Sequence, residues 1–285
     1  MMKRSFLAGP VLLPVLLLAL SCGKESAPLP EAQRPEGVPI HFESVLTKAG
    51  DVLRTGDSIR VWAEDESGNS VMNGQLVTLT ENGWEYAPVK YWPQAGNLTF
   101  YAVSPGNPDI IRPEDDGDPY CFDVFCPEDA STDILCANMS SFPNGQSVCL
   151  NFEHIMARIS IQARLARFPV DPNAGVRITA ISIGTHPSQG SWRVDDGGWP
   201  GYWSRTTFRQ ELSCTVTRAV AMPVTDFYLT PIPIWNQGRL TVEWETYNKK
   251  TGETIRARTG TEDISGTMLD EGEVSSIILS LSPYD

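Results

Sequence analysis

The sequence predicts an all-β protein of sandwich type, and three observations favour this fold class. Turn-forming residues are frequent, with 22 prolines and 23 glycines. Between the turns, which recur about every 8–12 positions, segments alternate apolar and polar side chains or consist of β-branched residues. No segment keeps a helical period beyond about three turns. Two sheets packed face to face are therefore the expected core.

Seven segments show the strand pattern most clearly. In each of them one face can be buried while the other meets solvent, because successive side chains of a strand point to opposite sides. These segments are residues 59–64, 75–80, 98–103, 158–165, 177–184, 239–247 and 275–281.

The chain begins with a segment typical of export signals. Lys3 and Arg4 precede an almost wholly apolar run, and the small residue Ser21 stands directly before Cys22. The run has about 15 residues, which is too short for a helix across a bilayer of about 30 Å. The pattern predicts a lipoprotein signal peptide at residues 1–21 and lipidation of Cys22, with ordinary secretion as the alternative. Several acyl chains on that cysteine would make membrane attachment lasting.

The placement of proline-rich and glycine-containing stretches in the remaining chain predicts a tether and two domains. Residues 22–37 are rich in proline and polar side chains, which favours a flexible tether. The stretch FPVDPNAG at 168–175 places two prolines and a glycine between strand-like segments and marks a boundary. We therefore expect an N-terminal β-sandwich domain at 38–168 and a C-terminal one at 169–285.

Residues 104–146 are predicted to be a long irregular insert in the first domain. They include the acidic run PEDDGDP, in which Asp115, Asp116 and Asp118 could in principle ligate calcium. Their spacing lacks the regular alternation and the closing glutamate of an EF-hand loop. A solvated acidic loop is the preferred interpretation.

The charge of the chain bears on its partners. The formal net charge of −13 becomes −15 when residues 1–21, with their two cations, are removed. A strongly acidic surface repels phosphate backbones and anionic headgroups. We expect no nucleic acid partner, and membrane attachment through the lipid rather than through charge.

The cysteines leave two alternatives open. Five follow Cys22: Cys121, Cys126, Cys136, Cys149 and Cys214. An odd number leaves at least one thiol without a disulfide partner in an exported protein. The run CFDVFC at 121–126 superficially resembles half of a metal site, but no second pair or nearby histidine completes a ligand set. We expect no metal there, and either a local disulfide or free thiols.

The sequence contains no recognisable catalytic motif. The sequence contains no GxSxG, HExxH or phosphate-binding loop, and His41, His154 and His186 are far apart in the chain. We therefore expect a protein that is not an enzyme and needs no cofactor. For His154 we expect a structural role, satisfied by a local backbone hydrogen bond.

One aromatic group could bind a ligand. Trp192, Trp199, Tyr202 and Trp203 are the densest aromatic cluster in the chain and lie beside the turn-like sequence DDGG. Exposed aromatic faces can stack against sugars, but packing within a sheet core explains the same residues equally well. Glycan stacking is therefore an alternative for this cluster.

Several segments together carry a resemblance to a known family. They are HFESVLTKAGD (41–51), GDSIRVWAE (56–64), GWEYAPVKYWPQAGNLTFYAVSP (83–105), LNFEHIMARISIQARL (150–165), YLTPIP (228–233), RLTVEWETYNKKTGET (239–254) and LDEGEVSSIILSLS (269–282). In this order they resemble the fimbrillin family, the Mfa-like subunits of type V pili in Bacteroidota. The resemblance covers almost the whole mature chain and is most specific in the first domain.

The resemblance implies a fold and a maturation step. Fimbrillins are lipoproteins with two transthyretin-like Greek-key β-sandwich domains in tandem, carried to the outer membrane and cell surface. A protease cuts them after a basic residue that follows the first strand. In this sequence Ile40, Phe42 and Leu46 mark that strand, Lys48 follows it directly, and Arg54 is the second candidate for the cut.

Loss of the first strand would have a physical consequence. Three buried apolar side chains contribute roughly 5–9 kcal/mol, against about 5–15 kcal/mol for the stability of a typical domain. The open groove and unpaired sheet edges would accept a strand from a neighbour. The expected donor is the C-terminal segment, in which Ile277, Leu279 and Leu281 alternate on one face.

The sequence therefore predicts a structural or adhesive subunit of a cell-surface pilus that polymerises by strand exchange. Its expected partners are other pilus subunits, the outer membrane through the lipid, and a host or bacterial surface ligand. Two alternatives are a monomeric lipid-anchored glycan-binding protein and an anchor subunit that keeps its first strand.

Overall fold

A computed structural model describes residues 37–47, 53–114, 118–234 and 238–284. This part of the chain forms strands and no helix, so the all-β prediction is confirmed. The strands are β1 (Phe42–Thr47), β2 (Ser58–Asp65), β3 (Ser70–Thr80), β4 (Gly83–Glu85), β5 (Asn97–Ser104), β6 (Ile111–Pro113), β7 (Cys121–Phe125), β8 (Leu135–Pro143), β9 (Val148–His154), β10 (Ala157–Leu165), β11 (Ala174–Arg193), β12 (Gly198–Val216), β13 (Met222–Leu229), β14 (Arg239–Asn248), β15 (Thr254–Asp263) and β16 (Val274–Leu281). Within those residues no helix is long and apolar enough to cross a bilayer.

The first half of the described chain is a seven-stranded sheet with the order β1-β9-β8-β5-β2-β3-β4. Strand β1 runs parallel to β9 at one edge, and the other neighbours in the sheet are antiparallel. The alternation of apolar residues in β2 directs Ile59, Val61 and Ala63 to one face, where they are fully buried. Phe100 of β5 and Phe152 of β9 complete this first core.

The opposite face of the same sheet is also apolar. Trp62 of β2 stacks against Tyr101 of β5 with a centroid distance of 5.7 Å, and meets Phe122 of β7 edge-on at 5.0 Å. Trp192 of β11 is 1% exposed and belongs to the same cluster. A simple two-layer sandwich would leave this face to solvent. Here it carries aromatic residues of β2 and β5 that are buried against β7 and β11, so both faces of the sheet are covered.

The second half contains two further sheets. Strand β10 lies between β13, to which it is antiparallel, and β16, to which it is parallel. The other sheet has the order β15-β14-β11-β7-β6, with β12 also paired to β11. Ile161, Ile181 and Phe227 are fully buried in the core that strands of these two sheets share.

The long hairpin of β11 and β12 joins the two halves. Its first part pairs with β14 inside the second half, and its far part pairs with β7 over the outer face of the first sheet. At its tip, the N–H of Val194 donates to the carbonyl oxygen of Tyr120 at 3.0 Å. Between these two parts β11 has a register shift against β12, from Ile183 to His186, and Thr185 within it has a φ of 61°, in the left-handed region.

Strand pairing crosses the predicted domain boundary at residue 168. Strand β10 lies before that boundary but pairs only with β13 and β16, which lie after it. The change of sheet therefore falls between β9 and β10, at Ile155 and Met156. Division into domains at 38–168 and 169–285 stays a prediction, and these pairings favour an earlier boundary.

The predicted irregular insert at 104–146 is wrong in its detail. Strands β6, β7 and β8 lie within it. Their side chains are well buried, including Ile111, Phe122 and Val124, because β7 pairs with the far part of β11 and β8 pairs with β5. Of the three aspartates in the acidic run, Asp115 and Asp116 lie outside the described residues.

The five cysteines after Cys22 carry free thiols, so the local disulfide alternative is wrong. Residues 121–125 form the extended strand β7, which holds Cys121 and Cys126 too far apart for a disulfide. Burial raises the pKa of the Cys126 thiol to about 12. Such a thiol stays protonated at neutral pH and is a poor nucleophile or metal ligand.

Candidate functional site

The first strand changes partner along its length: residues 38–40 pair with residues 90–92, and β1 pairs with β9. Ile40 is 1% exposed and Phe42 is 7% exposed. The phenyl ring of Phe42 meets Tyr86 and Phe100 edge-on, at centroid distances of 5.8 and 6.2 Å. Leu46 lies within β1, and its side chain is outside the described part of the structure. The predicted inward face of the first strand is thus formed at two of its three positions.

Hydrogen bonds fix this strand to two different segments. On one side, the N–H of Ile40 donates to the carbonyl oxygen of Lys90 at 2.9 Å, and the Tyr86 hydroxyl donates to the carbonyl oxygen of Ile40 at 2.8 Å. On the other side, the N–H of Val148 donates to the carbonyl oxygen of His41 at 2.8 Å. Removal of the strand would break the hydrogen bonds on both sides.

Strand β9 is the sheet neighbour of β1 and would become the edge of the sheet if β1 were removed. Val148, Leu150 and Phe152 are each at most 1% exposed while β1 is in place. Their parallel register with β1 runs from Phe42 opposite Val148 to Thr47 opposite Phe152. Without β1, this row would become an apolar sheet edge with open backbone groups, which is a template for another strand.

The two candidate cleavage positions differ in what the structure describes. Lys48 lies outside the described residues, as do Cys22, the predicted signal and the predicted tether up to residue 36. Arg54 is exposed, and its N–H donates to the Asp57 carboxylate at 2.6 Å. It stands between the first strand and β2, where a cut would separate β1 from the rest of the chain.

The last strand is held firmly. Strand β16 pairs with β10 over eight residues without a register shift. Leu279 and Leu281 are 6% and 5% exposed in the core of the second half, and Ile277 on the same face is half-buried. The predicted alternation of these three side chains on one face is therefore observed, whereas a role in strand donation stays a prediction.

A set of contacts that we call the C-terminal clamp fixes the residues after β16. The indole N–H of Trp244 donates to the carbonyl oxygen of Ser282 at 3.2 Å, and the Arg258 guanidinium donates to that of Pro283. The Tyr284 hydroxyl accepts from the N–H of Val170 at 2.6 Å and donates to the carbonyl oxygen of Phe168 at 3.3 Å. The end of the chain is thus tied to two separate segments.

The first and last strands share one feature of topology. Each is an edge strand, and each runs parallel to one of two strands that follow each other directly in the chain, β9 and β10. In a comparison with known protein families, the sequence profile described as "Fimbrillin-like" matches residues 47–272 of this chain.

The chain belongs to the fimbrillin-like family.

Solved structures show the same fold as this fimbrillin-like protein. One is a fimbrial protein from Bacteroides vulgatus, with 13% identity, a TM-score of 0.56, and coverage of 85% of this chain and 95% of the other. Another is named as a candidate cell adhesion protein from Bacteroides uniformis, with 17% identity, a TM-score of 0.55, and coverage of 86% and 93%. No curated protein sequence matches the chain. The predicted resemblance to fimbrillins is confirmed.

The aromatic cluster of this fimbrillin-like chain does not form one exposed platform. Trp192 is buried and meets Trp199 edge-on at 5.5 Å, and Trp199 stacks on Tyr202 at 5.4 Å. Trp203 is 39% exposed. Burial removes Trp192 from the proposed sugar-stacking set, because its ring packs between the hairpin and the first sheet.

Charged residues near the tip of the hairpin form ion pairs with one another. The Arg193 guanidinium donates to the carboxylates of Asp118 and Asp195, each at 2.6 Å. These contacts hold the pKa of the Asp195 carboxyl below its usual range. Among the described residues no group of three or more acidic, histidine or cysteine side chains could hold a metal ion. Asp118, the one described aspartate of the acidic run at 115–118, forms an ion pair with Arg193.

His154 and His186 have different environments. His154 lies at the end of β9, and its Nδ1 hydrogen-bonds the Asp133 carboxylate, where a backbone partner was expected. His186 is 1% exposed, with its Nε2 2.9 Å from the carbonyl oxygen of Thr230 and 3.0 Å from the hydroxyl of the same residue. Sequence reasoning missed His186, because only the tertiary packing of β11 buries it.

We expect His186 to make stability pH-dependent. Burial lowers the pKa of its imidazole to about 4, from 6.5 in a solvated histidine. Between these values the unfolded chain binds a proton that the folded chain does not, so stability is highest above pH 6.5 and falls as the pH drops toward 4. The expected slope from this group is about 1.4 kcal/mol per pH unit. Urea titrations at several pH values measure it, and His186→Gln should flatten the profile while His41→Gln, at an exposed position, should not.

Proposed function

We propose that this protein is a pilus subunit on the cell surface, exported as a lipoprotein through Cys22 and anchored in the outer membrane before assembly. Two transthyretin-like domains in tandem, predicted at 38–168 and 169–285, are part of this proposal, with the boundary moved to Ile155 and Met156 because β10 pairs only with β13 and β16. Its partners are other pilus subunits and a host or bacterial surface ligand, and its role is structural rather than catalytic. Membership of the fimbrillin-like family supports the pilus or adhesin role.

The single observation that carries the mechanism is the placement of β1. The strand is an edge strand joined to β9 by parallel pairing, and Ile40 and Phe42 insert into the first core. A cut after Lys48 or Arg54 would leave this strand held only by non-covalent contacts. Burial of its two described apolar side chains contributes roughly 3–6 kcal/mol, an amount that a similar incoming strand can replace.

The incoming strand is proposed to be the last strand of a neighbour. Strand β16 presents Ile277, Leu279 and Leu281 on one face, at the spacing that fills alternate pockets of a groove. Main-chain hydrogen bonds to the exposed edge of β9 would supply affinity. Assembly by this route needs no catalytic residue in the subunit.

Limited digestion with trypsin tests this proposal. The protein is prepared without residues 1–21 and with Cys22→Ser, digested, and analysed by N-terminal mass measurement and by an unboiled gel. We expect one nick after Lys48 or Arg54, followed by a heat-sensitive ladder of multimers, because loss of β1 opens the groove. Lys48→Gln and Arg54→Gln, made singly and together, identify the cut that matters.

A nicked protein that stays monomeric would contradict the shaft-subunit role. The C-terminal clamp favours a second candidate function for that case, an anchor subunit that retains its first strand and does not donate its last one. The contacts of Trp244, Arg258 and Tyr284 with the end of the chain all oppose release of β16. Resistance of both candidate bonds to trypsin would favour the same anchor role.

A further inference from the structure

Three connections of the second half lie together at one end, which we call the basic end. It consists of residues 166–173, 217–221 and 249–256, with 282–284 beside them. Hydrogen bonds join these segments: the N–H of Leu165 donates to the carbonyl oxygen of Arg218, and the N–H of Lys249 to that of Asn173, both at 2.7 Å. The segments therefore form one continuous surface.

Large apolar side chains are exposed at the basic end. Val170 is 88% exposed, Val220 is 75%, Ile255 is 58% and Phe168 is 55%. Val170 and Ile255 line a groove of about 290 Å³ together with Tyr284. Single exposed apolar residues are ordinary, but a group on one surface indicates a contact with another molecule.

The cations of this surface are exposed and lack ion-pair partners. Arg167, Arg218, Lys250 and Arg256 lie in the solvent-exposed class, and no described carboxylate forms an ion pair with any of them. By contrast, Arg209 in the middle of the same half pairs with two glutamates. The segments of the basic end hold five cations and two carboxylates, Asp171 and Glu253, so the surface keeps a net positive charge. Such a charge is complementary to an acidic partner.

The first half of the chain has the acidic character expected of such a partner, so a second copy could provide it. Residues 38–156 contain 18 acidic and 5 basic side chains, whereas residues 157–285 contain 14 acidic and 13 basic ones. Almost all of the net negative charge of the two halves thus lies in the first. Exposed carboxylates there include Glu43, Glu66 and Glu81.

We infer that the basic end of one copy docks on the acidic first half of a second copy. The basic end and the first half carry opposite net charge, and the exposed apolar side chains supply a core for the contact. The contact joins different surfaces of the two molecules and is therefore heterologous, so it can continue from copy to copy. The biological role of this contact, in assembly, rests on the proposed function, but the contact itself requires neither cleavage nor strand exchange.

Sedimentation velocity on the uncut protein tests the contact. The chain without residues 1–21, carrying Cys22→Ser, is measured over a concentration series at about 0.01 M and about 0.15 M salt, where the Debye length is about 30 Å and about 8 Å. We expect concentration-dependent association at low salt that weakens at the higher salt. The double variant R167E/R218E should lower the association constant by about tenfold or more, and Val170→Ser should also lower it.

Matched controls separate a specific contact from general charge effects. R205E/R239E changes the net charge by the same amount at exposed positions of the second half outside the basic end, and it should leave association close to that of the wild type. Fluorescently labelled R167E/R218E should still bind the wild type, because its acidic half is intact, while it no longer associates with itself.

The inference would be overturned by a wild type that stays monomeric at low salt, or by equal weakening of association in both double variants. Failure of R167E/R218E to bind wild type would also overturn it, since that result indicates contact between two basic ends. All of these measurements use the uncut chain, so the outcome of the trypsin experiment does not decide them.

Discussion

Replacing Phe42 with alanine should lower the free energy of unfolding by about 3–5 kcal/mol. The Phe42 ring is 7% exposed and packs edge-on against Phe100 and Tyr86, so its loss leaves a cavity in the first core. Because the side chain belongs to an edge strand, the same change should weaken the hold of β1 on the sheet. Urea unfolding followed by tryptophan fluorescence measures the first effect.

The second effect of Phe42→Ala appears after proteolysis. If β1 is the strand that is exchanged, the nicked variant should release it faster and form multimers sooner than the nicked wild type. Val38→Ala is the matched control, since Val38 lies just before the strand and is 52% exposed. Similar losses of stability for both variants would contradict the burial of β1.

Replacing Trp192 with alanine should cost about 3–5 kcal/mol as well. Trp192 is 1% exposed and meets Trp199 edge-on, in the cluster that holds the β11–β12 hairpin on the outer face of the first sheet. Its loss should therefore loosen the connection between the two halves. We expect a lower unfolding midpoint and faster hydrogen exchange in β7, which pairs with the far part of β11.

Trp203→Ala is the control for this prediction. Trp203 lies four residues after Trp199 on the same hairpin but is 39% exposed, so its loss should cost about 1 kcal/mol or less. A large loss of stability for Trp203→Ala and a small one for Trp192→Ala would reverse the assignment of core and surface. Binding of a soluble glycan that Trp203→Ala abolishes would revive the sugar-stacking alternative.

Sequence pattern predicted most strands because their burial alternates locally. The predicted segment 59–64 lies within β2, where Val61 and Ala63 point inward, and 275–281 lies within β16, where Leu279 and Leu281 do the same. Period-two alternation is a property of neighbouring residues, so no knowledge of the rest of the fold is needed to see it. The inward face of the first strand was visible for the same reason.

Other features depend on residues that are distant in the chain. Strands β6 and β7 are short and follow prolines and aspartates, and they become strands because β7 pairs with β11. The far part of the β11–β12 hairpin contains glycine, proline and tryptophan, which weaken the strand pattern. The C-terminal clamp joins Tyr284 to residues 168–170 and could not be inferred from the spacing of any motif.

The parallel pairing of both terminal strands with β9 and β10 has a consequence for folding kinetics. Each pairing joins residues about a hundred or more positions apart, and contacts of such long separation slow folding because their loop-closure entropy is lost before they form. Strand β1 has no sheet edge to join until β9 has been synthesised, and β10 has no parallel partner until β16 has been synthesised. We therefore expect these two pairings to form late in folding.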